Sequence, residues 1–296
     1  MAELSIVIPT FDTASMTLGC CRAVLTSMPA DSEIIVVDDG SSDGTAELLR
    51  REVPQARVIQ LPSNRGFSAA ANWGVGAAGG RIILLLNSDA MVEAASLGAL
   101  VAAFDRDPAL GVAGARLVNL DGTPQWSGGT TPTLPWIIGV VSGAGPLARF
   151  FRAPGNATRR IDWVSGAAMA FRSEVWKDAG PLDERFLFYC QDIEFSLRAR
   201  EAGWEVRIVD ESRITHGLGR TVAPHSLGHD PELLWSDLLS WGRSHYGAAW
   251  GMAARLMLIA AAAMRIAGRM IRRPLRRDAT TLILRRALRR LLQSNS

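Results

Sequence analysis

The sequence predicts an α/β protein built on a mostly parallel sheet with helices on both faces. Three observations predict it. Short runs rich in Val and Ile alternate with helix-length stretches through the first third of the chain. Those runs are continuously apolar, as strands covered on both faces are. Polar residues cluster at their ends, where open α/β sheets place ligands.

In order, Leu4–Ile8 reads as the first strand and Ala14–Ser27 as the helix after it. Glu33–Val37, Arg57–Gln60 and Arg81–Leu86 read as the next strands, with helices over Thr45–Arg51 and Ser68–Ala78 between them. A helix over Ala95–Phe104 leads to a strand over Gly111–Val118. Residues Asp121–Asn156 hold Gly, Pro, Thr and Trp without periodicity and read as long loops of the kind that form lids or binding segments. Regular structure resumes with a strand over Ala167–Phe171, a short helix from Ser173, a helix over Asp192–Ala202 and a strand over Val206–Val209. Pro231 opens a helix over Glu232–Tyr246, and the remainder reads as basic helix.

The 296 residues suffice for one large domain or two modest ones, and 48% hydrophobic with 21% charged residues excludes a disordered or collagen-like chain. The net charge of +3 is a near-cancellation. From Arg255 onward there are eleven Arg and one acid, a tail of +10 that leaves −7 in the first 254 residues. An anionic partner for that tail is the implication. Leu and Ile alternating with Arg clusters favour an anionic lipid surface over nucleic acid, for which no motif exists; a solvated helix packed on the body is the third reading. No run of 18 or more uncharged apolar residues occurs; Leu256–Met264, bounded by Arg255 and Arg265, is the longest candidate, so a spanning helix is not expected. Cys20, Cys21 and Cys190 lack metal-ligand spacing, which suits a reducing compartment. The first residues enter a strand without a basic n-region, so the chain reads as cytoplasmic and unprocessed.

Four polar segments follow the strands: Pro9-Thr10-Phe11-Asp12, Asp38 to Thr45, Asn64-Arg65-Gly66-Phe67 and Asn87-Ser88-Asp89. Ser42 and Asp43 serve equally as helix caps and as ligand contacts. Asp38 and Asp39 are different, since adjacent carboxylates at the end of a buried strand repel each other, and a ligand needing an acceptor explains them better. In an extended chain residues 87 and 89 point the same way, so Asn87 and Asp89 offer two oxygen-bearing groups to a divalent cation bridging a diphosphate. No G-x-G-x-x-G follows the first strand and no Walker A sequence occurs, which counts against a dinucleotide or P-loop enzyme. Asp192, after Phe186-Leu187-Phe188-Tyr189, suits a general base and equally a first-turn acid on the helix dipole. His216 in "THGLGRT" reads as a structural histidine or as a ligand.

The ordered segments "SIVIPTF", "IIVVDDGSSDGT", "NRGFSAAANWG", "ILLLNSDA", "VSGAAMAFRSEVWKDAGPLDERFLFYCQDIEFSLRAREAGW" and "ITHGLGRT" resemble a family 2 glycosyltransferase of the GT-A fold, in its rhamnosyltransferase-like branch. The resemblance spans about residues 3–221. It implies a GT-A domain over about residues 1–221, with a nucleotide-sugar half to about residue 118 and an acceptor half from about residue 157. A helical basic appendage, residues 222–296, follows. Thr10, Phe11 and Asp39 fall where the family holds base and ribose, and Asn64 and Gly66 lie near base and diphosphate. Asp89 matches the second carboxylate of a D-x-D-like motif that meets Mg²⁺ or Mn²⁺, while Asn87 replaces the first. Gln191-Asp192 stands where the family often has Glu-Asp, which makes Asp192 the implied base, Gln191 an altered neighbour and Glu194 an acceptor-side residue. His216 matches a histidine approaching metal or diphosphate, better suited to Mn²⁺ than Mg²⁺, and Arg220 and Thr221 match groups that stabilise the departing diphosphate. The implied activity is inverting transfer from dTDP-rhamnose, or next a UDP-sugar, to a hydroxyl of a glycan or polyprenyl-linked saccharide at the inner face of the membrane. A catalytically inactive nucleotide-sugar binder is the alternative.

Overall fold

The computed structural model describes residues 2–141, 152–154, 161–186, 189–217, 231–272 and 279–293. The chain divides into two units: Met1–Thr130, Ala153–Leu187 and Gln191–Leu218 form one; Thr131–Arg152, Phe188–Cys190 and Gly219–Ser296 form the other.

The first unit is a sheet in the order β3-β2-β1-β4-β10-β6-β11-β5. Its half towards β3 is parallel: β1 (Leu4–Thr10) lies between β2 (Ser32–Asp38) and β4 (Ile82–Leu86), and β3 (Ala56–Gln60) forms the edge. The side chains of β1 and β4 are all buried because both faces are covered, while the edge strand β3 is partly exposed. Leu4, Ile6 and Ile8 of β1 meet α1 (Ala14–Ser27), α2 (Thr45–Glu52) and α4 (Ser96–Arg106) through Cys20, Val24, Leu49, Leu100 and Phe104. On the opposite face Val7, Ile35, Val37 and Leu85 meet α3 (Phe67–Gly76), α6 (Ser173–Ala179) and α7 (Gln191–Glu201) through Ala71, Val75, Val175 and Phe195.

The sequence places these elements well and misses others. β10 (Ala168–Arg172) inserts antiparallel between β4 and β6 (Leu110–Val118). Strand direction follows from where the preceding chain enters the sheet, which no local pattern encodes. β11 (Glu205–His216) is three times the expected length, running parallel to β6 and then antiparallel to β5 (Ala90–Val92). Its register shifts between Val209 and Arg213 and its half-exposed residues hide the strand period. In the segment expected to be loops, β7 (Trp126–Gly129) pairs antiparallel with β9 (Trp163–Val164). Gly128 is required there, since a Cβ would stand 2.4 Å from the Trp163 carbonyl oxygen. The same glycine that permits the pairing removes the strand signal from the sequence.

In the second unit, a short α5 (Leu134–Trp136) runs into a π-helical turn over Ile137–Val141; of β8 (Arg152–Pro154), Arg152 counts with this unit and Ala153 and Pro154 with the first. Then come α8 (Pro231–Tyr246), α9 (Ala248–Arg272) and α10 (Ala279–Gln293), with α9 packed against both neighbours. Gly247, at φ +89°, turns the chain from α8 into α9. Gly251, Ala254, Leu258, Ala262 and Ile266 form the buried face of α9, and Met252, Leu256, Ala260, Ala263, Ala267 and Met270 lie exposed along another. Its stretch Ala248–Ile271 is long and apolar enough, by length and composition, to cross a membrane. Counting uninterrupted apolar residues missed this because Arg255, Arg265 and Arg269 break the run without breaking the helix.

Candidate active site

Two kinds of acid line the carboxyl ends of the strands in the first unit. One kind builds the loops. Asp12, at the end of β1 with φ 50°, accepts the Ser42 N–H at 2.7 Å, while its own N–H is bonded to Ser41 Oγ at 2.9 Å. Asp43 accepts the Ala14 N–H at the start of α1 and the Thr45 N–H at the start of α2, at 3.0 and 3.1 Å. Burial alone would push Asp43 up, but its bonds from Thr45 and Ala14 outweigh that and hold the carboxyl below the usual range. Asp39 accepts the Arg65 N–H on one oxygen at 2.9 Å and the Gly66 N–H on the other at 2.8 Å. Asn64 Oδ1 accepts the Gly66 N–H as well, at 3.0 Å. Burial pushes the Asp39 carboxyl up, these N–H groups draw it back, and the neighbouring Asp38 raises it again. Gly40 lets the two loops touch, because a Cβ there would meet Ser63 Cα at 2.6 Å.

Hydroxyls tie the same rim together. Thr17 donates to the Thr13 carbonyl at 2.9 Å, and Thr10 lies 2.7 Å from Thr17 and 2.6 Å from Thr13, with Ser88 at 3.3 Å from Thr13. With its proton given to that carbonyl, Thr17 Oγ1 can only accept, from Thr10 and from Thr13, whose hydroxyl is 3.0 Å away. Thr10 is therefore an internal strut at the head of the first loop, and Phe11 beside it is 43% exposed and free to stack.

The other kind of acid is left open. Asp38 spends one oxygen on the Ser41 N–H at 3.1 Å, and its second, buried, has no partner among the described residues. Among the described residues neither oxygen of Asp89 has a hydrogen bond, although the side chain is only 3% exposed. Asn87 and Asp89 do not lie on an extended strand. The Ala90 N–H bonds to the Asn87 carbonyl at 3.0 Å, closing a turn that carries both residues to His216 at the end of β11. Asn87 Nδ2 is 3.1 Å and Asp89 Oδ1 3.2 Å from His216 Nε2.

Gln125 decides which way that imidazole faces. Its Nε2 donates to Asn119 Oδ1 at 2.9 Å and to the His216 carbonyl at 3.3 Å, so its Oε1 turns to His216 Nδ1, 2.7 Å away, and accepts the ring proton. The lone pair of neutral His216 then sits on Nε2 and faces a bare carboxylate. That lone pair accepts from Asn87 Nδ2, and a cation placed between Nε2 and the Asp89 carboxylate would add the charge the two atoms together favour. The donor set fits a divalent metal held by Asp89 and His216 with the rest of its shell from phosphate and water, as is usual for Mg²⁺ and Mn²⁺. Among the described residues no three His, Cys, Asp or Glu converge, so the protein alone does not complete a coordination shell.

Asp192 opens α7, after Cys190 at φ 69°. Its Oδ2 accepts the Gly166 N–H at 2.9 Å and its Oδ1 the Ile193 N–H at 2.8 Å. A Cβ on Gly166 would already be in contact with Asp192 at 3.4 Å, so the carboxylate lies flat on that backbone. Burial pushes its carboxyl up, and the N–H groups of Gly166 and Ile193 only partly offset that. Asp192 nevertheless keeps part of its surface open. Ala167, next to Gly166, accepts the Asn87 N–H at 3.0 Å, which ties the backbone under Asp192 to the Asn87 turn. Gln191 is buried beside Asp192. Glu194 is taken up by Arg198, whose Nη2 donates to Oε2 at 2.7 Å. Arg220 and Thr221 lie outside the described residues. Gln125 was not singled out in the sequence, since a lone Gln in a Gly- and Thr-rich stretch carries no signal.

A mostly parallel GT-A sheet with polar strand ends and C-terminal helices defines a nucleotide-sugar transferase architecture. The profile of Glycosyl transferase family 2 matches residues 5–175, and the chain belongs to that family. It is similar to an N-acetylglucosaminyl-diphospho-decaprenol L-rhamnosyltransferase of Mycobacterium tuberculosis, 25% identical over 74% of this chain and 73% of that one. An O-antigen biosynthesis protein of Myxococcus xanthus is 28% identical over 72% of this chain and 17% of its own length. Among solved structures, S. aureus TarS 1–349 superposes with a TM-score of 0.55 at 16% identity, covering 88% of this chain and 80% of that one. GalNAc-T7, solved with UDP, GalNAc and Mn²⁺, superposes with a TM-score of 0.59 at 18% identity over 81% of this chain and 48% of that one.

Proposed function

We propose that the protein is an inverting, metal-assisted glycosyltransferase. It takes L-rhamnose from dTDP-rhamnose, with UDP-sugars next in order, and passes it to a hydroxyl of a glycan or polyprenyl-linked saccharide in envelope polysaccharide synthesis. The catalytic region is assigned to about residues 1–221 and a membrane-associating region to 222–296. The observation that carries the reading is the bare Asp89 carboxylate facing His216 Nε2 at 3.2 Å on the rim of a family 2 domain. Similarity to the mycobacterial rhamnosyltransferase supports the donor and the lipid-linked acceptor.

A bound Mg²⁺ or Mn²⁺ supplies a charge that neutralises the donor diphosphate as it leaves. Asp89 and His216 would hold that ion, with Asn87 beside the imidazole. Phe11 stacks on the base, and Asp39, with Asn64 and Gly66, shapes the pocket for base and ribose. Arg220 and Thr221 bond the departing diphosphate. Asp192 removes the proton of the acceptor hydroxyl as its oxygen attacks the anomeric carbon and the bond to the diphosphate breaks. A carboxylate raised by burial is a stronger base than one in water. Gln191 and Glu194 line the acceptor side.

The C-terminal helices lie in the interface of an anionic membrane on the cytoplasmic side. Leu256 and Met264 of the α9 stripe are 59% and 66% exposed, and Arg285, Arg286 and Arg289 of α10 are exposed as well. Arginines along the whole of α9 favour an in-plane helix over a spanning one.

A thermal-shift screen of dTDP, UDP and GDP with and without Mn²⁺ tests the donor reading. Stabilisation by dTDP that depends on Mn²⁺ is expected, and no response to any nucleotide sinks it. Vesicle sedimentation tests the interface, with L256E/M264E expected to release the protein from phosphatidylglycerol vesicles.

A further inference from the structure

The helical unit holds a groove that the nucleotide-sugar chemistry does not use. It lies among α8, α9 and α10 and encloses about 750 Å³, the size of a small-molecule site. Leu239, Met252 and Leu291 make part of its lining apolar, and Arg243, Arg255 and Ser236 bring donors. Its one acid, Glu232, is bonded by Arg290 Nη1 at 2.8 Å.

Among the described residues these donors are only partly used. Arg243 has no carboxylate partner among the described residues, and Arg255 spends only its Nε, on the Leu291 carbonyl at 2.7 Å. Trp235, another lining residue, is 1% exposed, and its indole Nε1–H has no acceptor among the described residues. An indole N–H can only donate, so a buried one left over calls for an anionic or carbonyl-bearing ligand, and the exposed Arg243 and half-buried Arg255 add positive charge to the groove. Gly251 shapes the wall: a Cβ there would fall 2.2 Å from Arg243 Cγ, and its absence lets the arginine stem cross α9. Met252 belongs both to this lining and to the exposed apolar stripe of α9, so groove and stripe are continuous.

We propose that the groove binds the diphosphate end of a polyprenyl-type lipid, with Arg243, Arg255 and Trp235 holding the phosphates and Leu239, Met252 and Leu291 receiving the first isoprene units. Two guanidiniums without a carboxylate partner among the described residues match a diphosphate in charge, and the apolar wall beside them matches a lipid chain. This deepens the reading of a lipid-linked acceptor and rests on it.

The test uses the full chain and farnesyl diphosphate as the probe, with inorganic pyrophosphate and phosphatidylglycerol vesicles as the comparison arms. Farnesyl diphosphate is expected to bind without Mn²⁺, and R243Q and R255Q to weaken it by about ten-fold each, the loss of one charge-assisted contact. R243K, which keeps the charge, retains most of the binding, and pyrophosphate binds about ten-fold more weakly than the prenyl compound because it lacks the apolar contact. Equal binding of pyrophosphate leaves only an anion site and overturns the lipid assignment. Displacement of farnesyl diphosphate by phosphatidylglycerol at matched concentration makes the ligand a bilayer lipid and overturns it too. Binding that survives in the R243Q/R255Q double variant, or that requires Mn²⁺ and Asp89, places the diphosphate elsewhere. The dTDP shift, read on the same samples, separates the two readings: its absence with farnesyl diphosphate still bound removes the donor reading and leaves the groove.

Discussion

Asp39 and Asp89 are both buried acids on one sheet rim, and they are held in opposite ways. Asp39 has a backbone N–H on each oxygen, so it fixes the loop at Arg65 and Gly66. Asp89 has no hydrogen bond on either oxygen among the described residues and looks at Nε2 of an imidazole whose other nitrogen is engaged by Gln125. A carboxylate saturated by the backbone stabilises the fold. One left bare opposes folding until a cation reaches it. The same residue type thus marks architecture in one loop and a ligand position in the next.

The largest expected effect falls on a third acid that combines both conditions, being bonded to the backbone yet pushed up by burial. D192N should lower kcat by about 10²–10⁴-fold while leaving the dTDP shift in place; normal turnover would put the base elsewhere. Because the folded carboxyl is raised, its charged form is penalised, and that penalty sets in as pH rises from the ordinary value near 4 through the folded value. The variant should therefore match wild type in Tm at acid pH and gain on it towards neutral pH.

Next comes the direct contrast. D89A should abolish the Mn²⁺-dependent part of the dTDP shift and leave the Tm of the metal-free protein unchanged or higher. D39A should lower that Tm, by about 2 kcal/mol of stability, for two lost charge-assisted bonds. If both variants destabilise the metal-free protein alike, the distinction between saturated and bare acids fails.

Q125L sharpens the same comparison from the side of the histidine. It should weaken Mn²⁺ by about ten-fold, as removal of a partner behind a ligating imidazole does, with little change in dTDP binding without metal. Equal Mn²⁺ titrations for Q125L and wild type would show that the ring needs no such support.

The smallest effect belongs to an exposed loop-builder. D43A should lose about 1 kcal/mol for the two helix starts it caps. Its folded carboxyl sits below the usual range, so the contribution is present above the ordinary value near 4 and fades as pH falls through the folded one. Melting curves of both proteins should converge in acid, and a difference that persists there would mean the loss is not one of charge.

How much of this was legible beforehand varies by residue. Strands β1 to β4 and their helices were readable because strands covered on both faces are written as uninterrupted Val and Ile runs. Asp89, Asp192 and His216 stood out because motif order set them apart from ordinary caps. β7 was not readable, since Gly128 has to be a glycine for the backbone to approach Trp163. The Asn87–Ala90 turn was not readable either, because a strand end and a turn share the same polar composition.

By itself the sequence determined the parallel sheet, the polar strand ends and the opposition of an acidic body to a basic tail, since apolar period, motif order and charge are local quantities. Only the tertiary structure decided which acids are spent and which are bare. That depends on which backbone N–H groups the fold brings within 3 Å of each carboxylate, Arg65 and Gly66 for Asp39 and none among the described residues for Asp89, and the partners of Asp39 lie far from it in the chain.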